Sequence, residues 1–410
     1  MRALFLCVMA GLTCGIASGR CGGPTEPVPP QAGQWSADLR AVADGNHRFA
    51  FDLYSRLREG PGNLFFSPYS IHAALAMTAD GANGATRDEM TRVLHLPADR
   101  AKGLAAGDLG RFYARPGRPY DLAVANALWG QKGIPWRPGA AARLVNRFGA
   151  GLHEADFAAD PESARRRINV WAAERTRGKV QTVLGPGDVT PLTRMVLANA
   201  IYFKSDWDTK FNKAATADAP FHLADGNRVT TPLMYQESEF SYAEGDGFQV
   251  LELLYKGGDL GMVVVLPRKP DGLPAVEKQV SADAFAKWLA AIQVRPVRVW
   301  LPRFRIEVGS SPADALRDMG MKAAFDPQSA DFTGLVGERV SLTRVVHRAF
   351  VEVTEEGTVA AAVSGIGGNL PAPVPPPPVD FRADRPFLFL IRDVKHGTIL
   401  FLGRLTNPKG

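Results

Sequence analysis

From Gly357 to Val379 the chain carries no charged residue. The stretch follows a strand-like run of small and β-branched residues, Val345 to Thr354, and ends just before another, Phe387 to Ile391. A long segment between two strands is ordinarily polar, because exposed backbone and side chains have no reason to be apolar. This one is strand-like at its near end and loop-like at its far end.

At the near end, Thr358, Ala360, Ala362, Ser364, Ile366, Gly368 and Leu370 form one face of an extended chain, and Val359, Ala361, Val363, Gly365, Gly367 and Asn369 the other. Neither face holds a group that is costly to bury, so the segment is fit to enter the middle of a sheet. At the far end, Pro371, Pro373 and Pro375 to Pro378 lack the N–H that a ladder requires. An insertable strand therefore stops near Leu370. Taken alone, the window also fits a flexible Ala/Gly/Pro linker.

The flanks choose between these readings. VHRAFVEVTEEGT (Val346 to Thr358) with AAAVS after it, then RPFLFLIRD and ILFLGRLTNP, resembles the C-terminal signature of the serpin family. The resemblance continues upstream in the family's order. GNLFFSPYSI (Gly62 to Ile71) is similar to its strand-then-helix start, INVWAAERTRGK (Ile168 to Lys179) to a helix signature, and NAIYFKSDW (Asn199 to Trp207) to a long buried strand. Together these motifs cover about Ala37 to Pro408.

The resemblance implies an α+β serpin fold of mixed and antiparallel sheets, about eight to nine helices and an exposed reactive-centre loop over about 355–385. It implies a suicide-substrate inhibitor of serine, or papain-like cysteine, endopeptidases. The protease would cut the loop and be trapped as an acyl-enzyme while the freed N-terminal part inserts as a new central strand. Hinge residues would be Glu355, Gly357, Thr358, Ala360, Ala361 and Ala362, and Ser67, Ser70, Asn199, Trp207 and His347 would lie where the sheet opens. The family's spacing places Pro371 before the cut bond, Pro371-Ala372, with Asn369-Leu370 as the alternative.

No Arg or Lys lies between Gly357 and Val379. The expected partner is thus an elastase-like, subtilisin-like or proline-tolerant protease rather than a trypsin-like one. Two departures from the family's pattern stand out: Val359 where Glu is common, and the proline-rich far end, which lengthens the loop. A non-inhibitory member acting as a binding or carrier module is the competing reading.

Local patterns supply the rest of the framework. Ala37 to Arg58 has apolar residues at helical spacing, Leu64 to Phe66 suits a short buried strand, and Pro68 suits a helix start. A helix expected over Ala85 to Leu94 would carry Asp88 and Glu89 in its first turn. VTTPLMYQ and FSYAEG suggest two strands, and Val297 to Ile306 a strand pair broken at Pro302. Arg165, Arg166, Arg175 and Arg177 on one helix suit a solvated face better than a polyanion site.

The 410 residues suffice for a large core, and 46% apolar with 22% charged content is that of a globular protein. A formal charge of +6 is modest for this length. Met1-Arg2, the apolar run Ala3 to Thr13 and the small-residue site Ala17-Ser18-Gly19 have the layout of a secretory signal peptide over 1–19. A Pro/Gly-rich tether over 20–36 and a domain over 37–410 follow. Cys7, Cys14 and Cys21 all lie at this end, so the body must hold together without disulfides. The expected location is secreted or periplasmic, with a lipid anchor at Cys14 or Cys21 as a minor alternative.

No Gly-x-Ser-x-Gly elbow, His-Glu-x-x-His, P-loop or paired Cys-x-x-Cys occurs, so no catalytic site, metal, cofactor or nucleic-acid partner is expected. No transmembrane span is expected, and the protein should be monomeric.

Overall fold

Met195 to Phe203 is buried at every position, the environment that an unbroken apolar run demands. In a computed structural model of the chain, which describes residues 35–356 and 377–410, this run opens a central strand of a five-stranded sheet. The leader expected over 1–19, the tether up to residue 34, and Gly357, Thr358, Ala360 to Ala362, Asn369, Leu370, Pro371 and Ala372 lie outside the described residues.

Fourteen strands occur among those residues: β1 Leu64–Phe66, β2 Tyr120–Gln131, β3 Gly151–Ala155, β4 Met195–Ser205, β5 Ala217–His222, β6 Arg228–Gly245, β7 Phe248–Leu254, β8 Leu260–Pro267, β9 Gln293–Pro302, β10 Phe304–Ser310, β11 Arg344–Val353, β12 Val379–Arg382, β13 Phe387–Asp393 and β14 Ile399–Leu405. The five-stranded sheet has the order β10-β11-β4-β2-β3. A nine-stranded sheet runs β1-β14-β13-β8-β7-β6-β9-β12, with β5 also on β6. The fold is α+β.

Helices α1 Ala37–Leu57, α2 Pro68–Asp80, α3 Gly84–Val93, α4 Arg100–Gly103, α5 Ala105–Tyr113, α6 Ala140–Phe148, α7 Pro161–Arg175, α8 Leu273–Gln279, α9 Ala282–Ala290 and α10 Ala313–Asp318 pack around the sheets, α4 being a single turn. Helix α2 starts as its sequence requires: Ser67 accepts at the N-cap, and Pro68 takes a position whose N–H would have no partner. Helix α7 lays Ile168, Trp171 and Ala172 in one apolar cluster with Ala198, Ala200 and Tyr202 of β4 and Val346 and Phe350 of β11.

Three local expectations need correction. VTTPLMYQ and FSYAEG belong to the single strand β6, which pairs with β9 from Leu233↔Pro302 to Tyr242↔Gln293. Glu237 and Glu239 interrupt the apolar pattern without breaking alternation, since both face out. The break at Pro302 does not make a hairpin: Arg303 carries the chain from β9 in one sheet to β10 in the other. Helix α3 begins at Gly84, so Asp88 and Glu89 miss its first turn. Glu89 instead accepts the backbone N–H groups of Lys322 and Ala323 at 2.7 Å.

Candidate functional site

Strands β4 and β11 run parallel side by side, paired from Arg344↔Val196 to Phe350↔Tyr202. There the shared ladder stops. Val351 to Val353 pair only with β10, and Phe203 to Ser205 only with β2. The two strands thus end in a cleft of about 610 Å³ whose walls include Tyr202, Phe203, Trp207, Phe350, Val353 and Glu355.

Two side chains hold the cleft's upper rim. Trp207 is 2% exposed and stacks on Tyr255 with ring centroids 4.6 Å apart. Its indole N–H donates to the Thr354 carbonyl at 3.0 Å, fixing the end of β11. Glu355, also 2% exposed, meets Arg303, whose Nε lies 2.7 Å from both carboxylate oxygens, and accepts from the Thr216 hydroxyl. Burial pushes the Glu355 carboxyl up, but the Arg303 and Thr216 hydrogen bonds outweigh it and hold the group below its ordinary range.

Below the cleft a buried polar row crosses the sheet. His347 of β11 is the ladder partner of Asn199 of β4, which is the partner of Asn126 of β2. The Ser67 N–H donates to His347 Nε2 at 3.0 Å, which leaves the ring proton on Nδ1, donating to Asn199 Oδ1. Asn199 Nδ2 donates to Ser70 Oγ and to Asn126 Oδ1. Ser67 Oγ donates to the Leu400 carbonyl at 2.6 Å and accepts from the Ser70 N–H at 3.0 Å. Burial pushes the His347 imidazole down to about 3, so it is neutral at physiological pH. These bonds tie the start of α2 to β2, β4, β11 and β14, and they can be broken and remade.

Of the residues singled out by sequence, Ser67, Ser70, Asn199 and His347 meet in this row, while Trp207 and Glu355 stand at the rim. Asn126, Arg303 and Thr216 escaped sequence reasoning. Asn126 carries one signal, a polar residue at the middle of an otherwise apolar strand run; Arg303 and Thr216 carry none, because their role comes from a contact with a distant glutamate.

Among the described residues, no group of three or more His, Cys, Asp or Glu is placed to hold a metal. No helix among them is long and apolar enough to cross a membrane. On α7, Arg165 and Arg166 pair with Glu162, and Arg177 at its end pairs with Asp121.

Residues 44–408 match the family model described as Serpin (serine protease inhibitor). The chain belongs to the serpin family. A serpin-like protein of Thermococcus kodakarensis, itself uncharacterized, is 41% identical over 90% of this chain and 86% of its own length. The leukocyte elastase inhibitor of Bos taurus is 38% identical over 90% of this chain and 100% of its own. Among solved structures, an Arabidopsis serpin in its native stressed conformation superposes with a TM-score of 0.82 at 28% identity, over 92% of this chain and 100% of that one. The serpin relatives thus include a named protease inhibitor.

Proposed function

We propose that this serpin is a suicide-substrate inhibitor of serine, or papain-like cysteine, endopeptidases. The observation that carries the reading is the open cleft between two parallel strands directly beneath the hinge Glu355. A chain leaving the top of β11 and turning at Gly357 would descend antiparallel to both β11 and β4, the direction in which a strand added between them pairs on both edges. Strand addition by its own cut loop is the behaviour serpins are known for.

Thr358 to Leu370 would supply the new strand, about 43 Å long at roughly 3.3 Å per residue. That length suffices to carry an acylated protease far along the body. Insertion must part the β4·β11 ladder, break the His347–Asn199 hydrogen bond and pass under α7, which packs on both strands. The cut bond is Pro371-Ala372, with Asn369-Leu370 as the alternative. With no Arg or Lys between Gly357 and Val379, the target is an elastase-like, subtilisin-like or proline-tolerant protease. The leader and tether would make the product secreted or periplasmic.

The test is incubation of the purified chain with elastase- and subtilisin-like proteases, followed by denaturing gels and mass spectrometry. An SDS-resistant complex and a released peptide starting at Ala372 or Leu370 are expected. Cleavage without a complex by every protease, and without stabilisation of the cut form, would instead support a non-inhibitory binding or carrier module.

A further inference from the structure

Helices α1, α3 and α10 end around a pocket of about 240 Å³ whose walls include Asp52, Arg56, Arg92, Val93, His95 and Met319. Helix α3 stops there by turning left-handed at His95, with φ 49°. The His95 N–H donates to the Arg92 carbonyl at 3.2 Å and the Leu96 N–H to the Thr91 carbonyl at 2.9 Å, a closing pattern in which glycine ordinarily takes the left-handed position. Helix α10 closes beside it with the same pattern and uses Gly320, at φ 104°.

A side chain at this backbone angle is strained and persists only where its surroundings hold it. One constraint is packing: a Cβ on Gly45 of α1 would fall 2.4 Å from the His95 carbonyl oxygen. The other is Asp52, two turns further along α1, whose Oδ2 lies 2.7 Å from His95 Nε2. Glycine would close the helix without strain, so what distinguishes the position is the imidazole it brings to the pocket. Two guanidiniums line the same space. Arg92 donates to the Gly320 carbonyl at 3.1 Å, and Arg56 has no hydrogen bond or ion pair among the described residues. Basic side chains suit helix C-termini, but the closing turns of α3 and α10 already satisfy carbonyls of their last turns, which leaves most of both guanidiniums open. Asp52 is engaged by His95, so the open charge is positive, and Val93 and Met319 add an apolar floor.

We propose that this pocket binds a small phosphate monoester, its dianionic head among Arg56, Arg92 and His95 and its organic group on Val93 and Met319. Planar guanidiniums match phosphate oxygens in pairs. A cavity of roughly 150 Å³ accepts a benzene ring, so this one has room for a ring and its phosphate. An occupant joins the ends of three helices and stabilises the folded chain by mass action. The inference stands apart from the inhibitory reading, because none of these residues lines the cleft beneath Glu355.

Calorimetric titration of the full chain with phenyl phosphate tests the site, with inorganic phosphate as its head alone. Saturable binding of phenyl phosphate is expected, and weaker binding of inorganic phosphate. Arg56→Gln should weaken phenyl phosphate about tenfold or more, as loss of a hydrogen bond to a charged group gives. His95→Gly separates binding from folding: it removes the strained side chain, so it should leave the melting temperature unchanged or higher while weakening phenyl phosphate. Absence of saturable phenyl phosphate binding, or equal affinity in the parent chain and Arg56→Gln, would overturn the proposal. Inorganic phosphate binding as tightly as phenyl phosphate would refute the apolar floor. A lower melting temperature in His95→Gly with unaltered phenyl phosphate affinity would mean that the histidine serves only the fold, and would refute its place in the site.

Discussion

His347 and His72 are neutral because they are buried, and this fixes how acid acts on the fold. Burial lowers His347 to about 3 and His72 to about 4, against an ordinary value of 6.5. Their stabilising contribution is complete above about pH 6.5 and is lost as pH falls toward the folded values, because the unfolded chain then binds protons that the folded chain refuses. Each histidine should add a slope of about 1.4 kcal/mol per pH unit in that window. His72→Gln, which keeps a donor for the Leu94 carbonyl, should remove one such slope in denaturation curves between pH 4 and 6.5. Glu355 acts lower, its contribution disappearing only below its ordinary value of 4.5. Glu355→Gln should cost about 1–3 kcal/mol at neutral pH by weakening the bonds to Arg303 and Thr216, read as a lower urea midpoint. At this scale the sequence was partly legible. Ser67, Ser70, Asn199 and His347 were legible only through the resemblance to the serpin family, whereas Arg303 looked like any surface arginine until β9 and β10 placed it against Glu355.

The elements that matter are the β4·β11 pair and the segment proposed as a hinge after β11. A short strand with an unbroken apolar run was readable to the residue, as Leu64–Phe66 illustrates. Strand β6 was not, since Glu237-Ser238-Glu239 resembles a turn in composition and only its pairing with β9 makes it strand. The turn at Pro302 likewise hid a change of sheet, which local sequence cannot encode. Trp207→Phe should keep the stack on Tyr255 but lose the hydrogen bond to Thr354, lowering native stability by about 1 kcal/mol. If the proposed inhibition operates, a charge at Thr358, or proline at Ala361, should leave the chain a mere substrate: a charge cannot be buried unpaired, and proline lacks the ladder N–H. Both variants should be cleaved at the same bond as the parent chain without forming an SDS-stable complex.

For the whole molecule, the central claim is that the described state is not the most stable one available to the cut chain. A strand added between β4 and β11 would have to part the ladder they now share. An inserted strand would bring on the order of twenty backbone hydrogen bonds at about 1 kcal/mol each, less the entropy of ordering its residues. Those two terms roughly offset, so a net gain of about 10 kcal/mol would come mainly from burying the strand's apolar side chains, and in a body of this size it corresponds to a rise in melting temperature of roughly 10–15 °C. The most direct test is to nick the loop with a broad-specificity protease, confirm by mass spectrometry that cleavage lies between Leu370 and Pro378, and compare the melting of cut and intact protein. A rise of that size means that the loop enters between β4 and β11; unchanged or lowered melting would contradict the inhibitory mechanism and leave a serpin that keeps the fold without the trap.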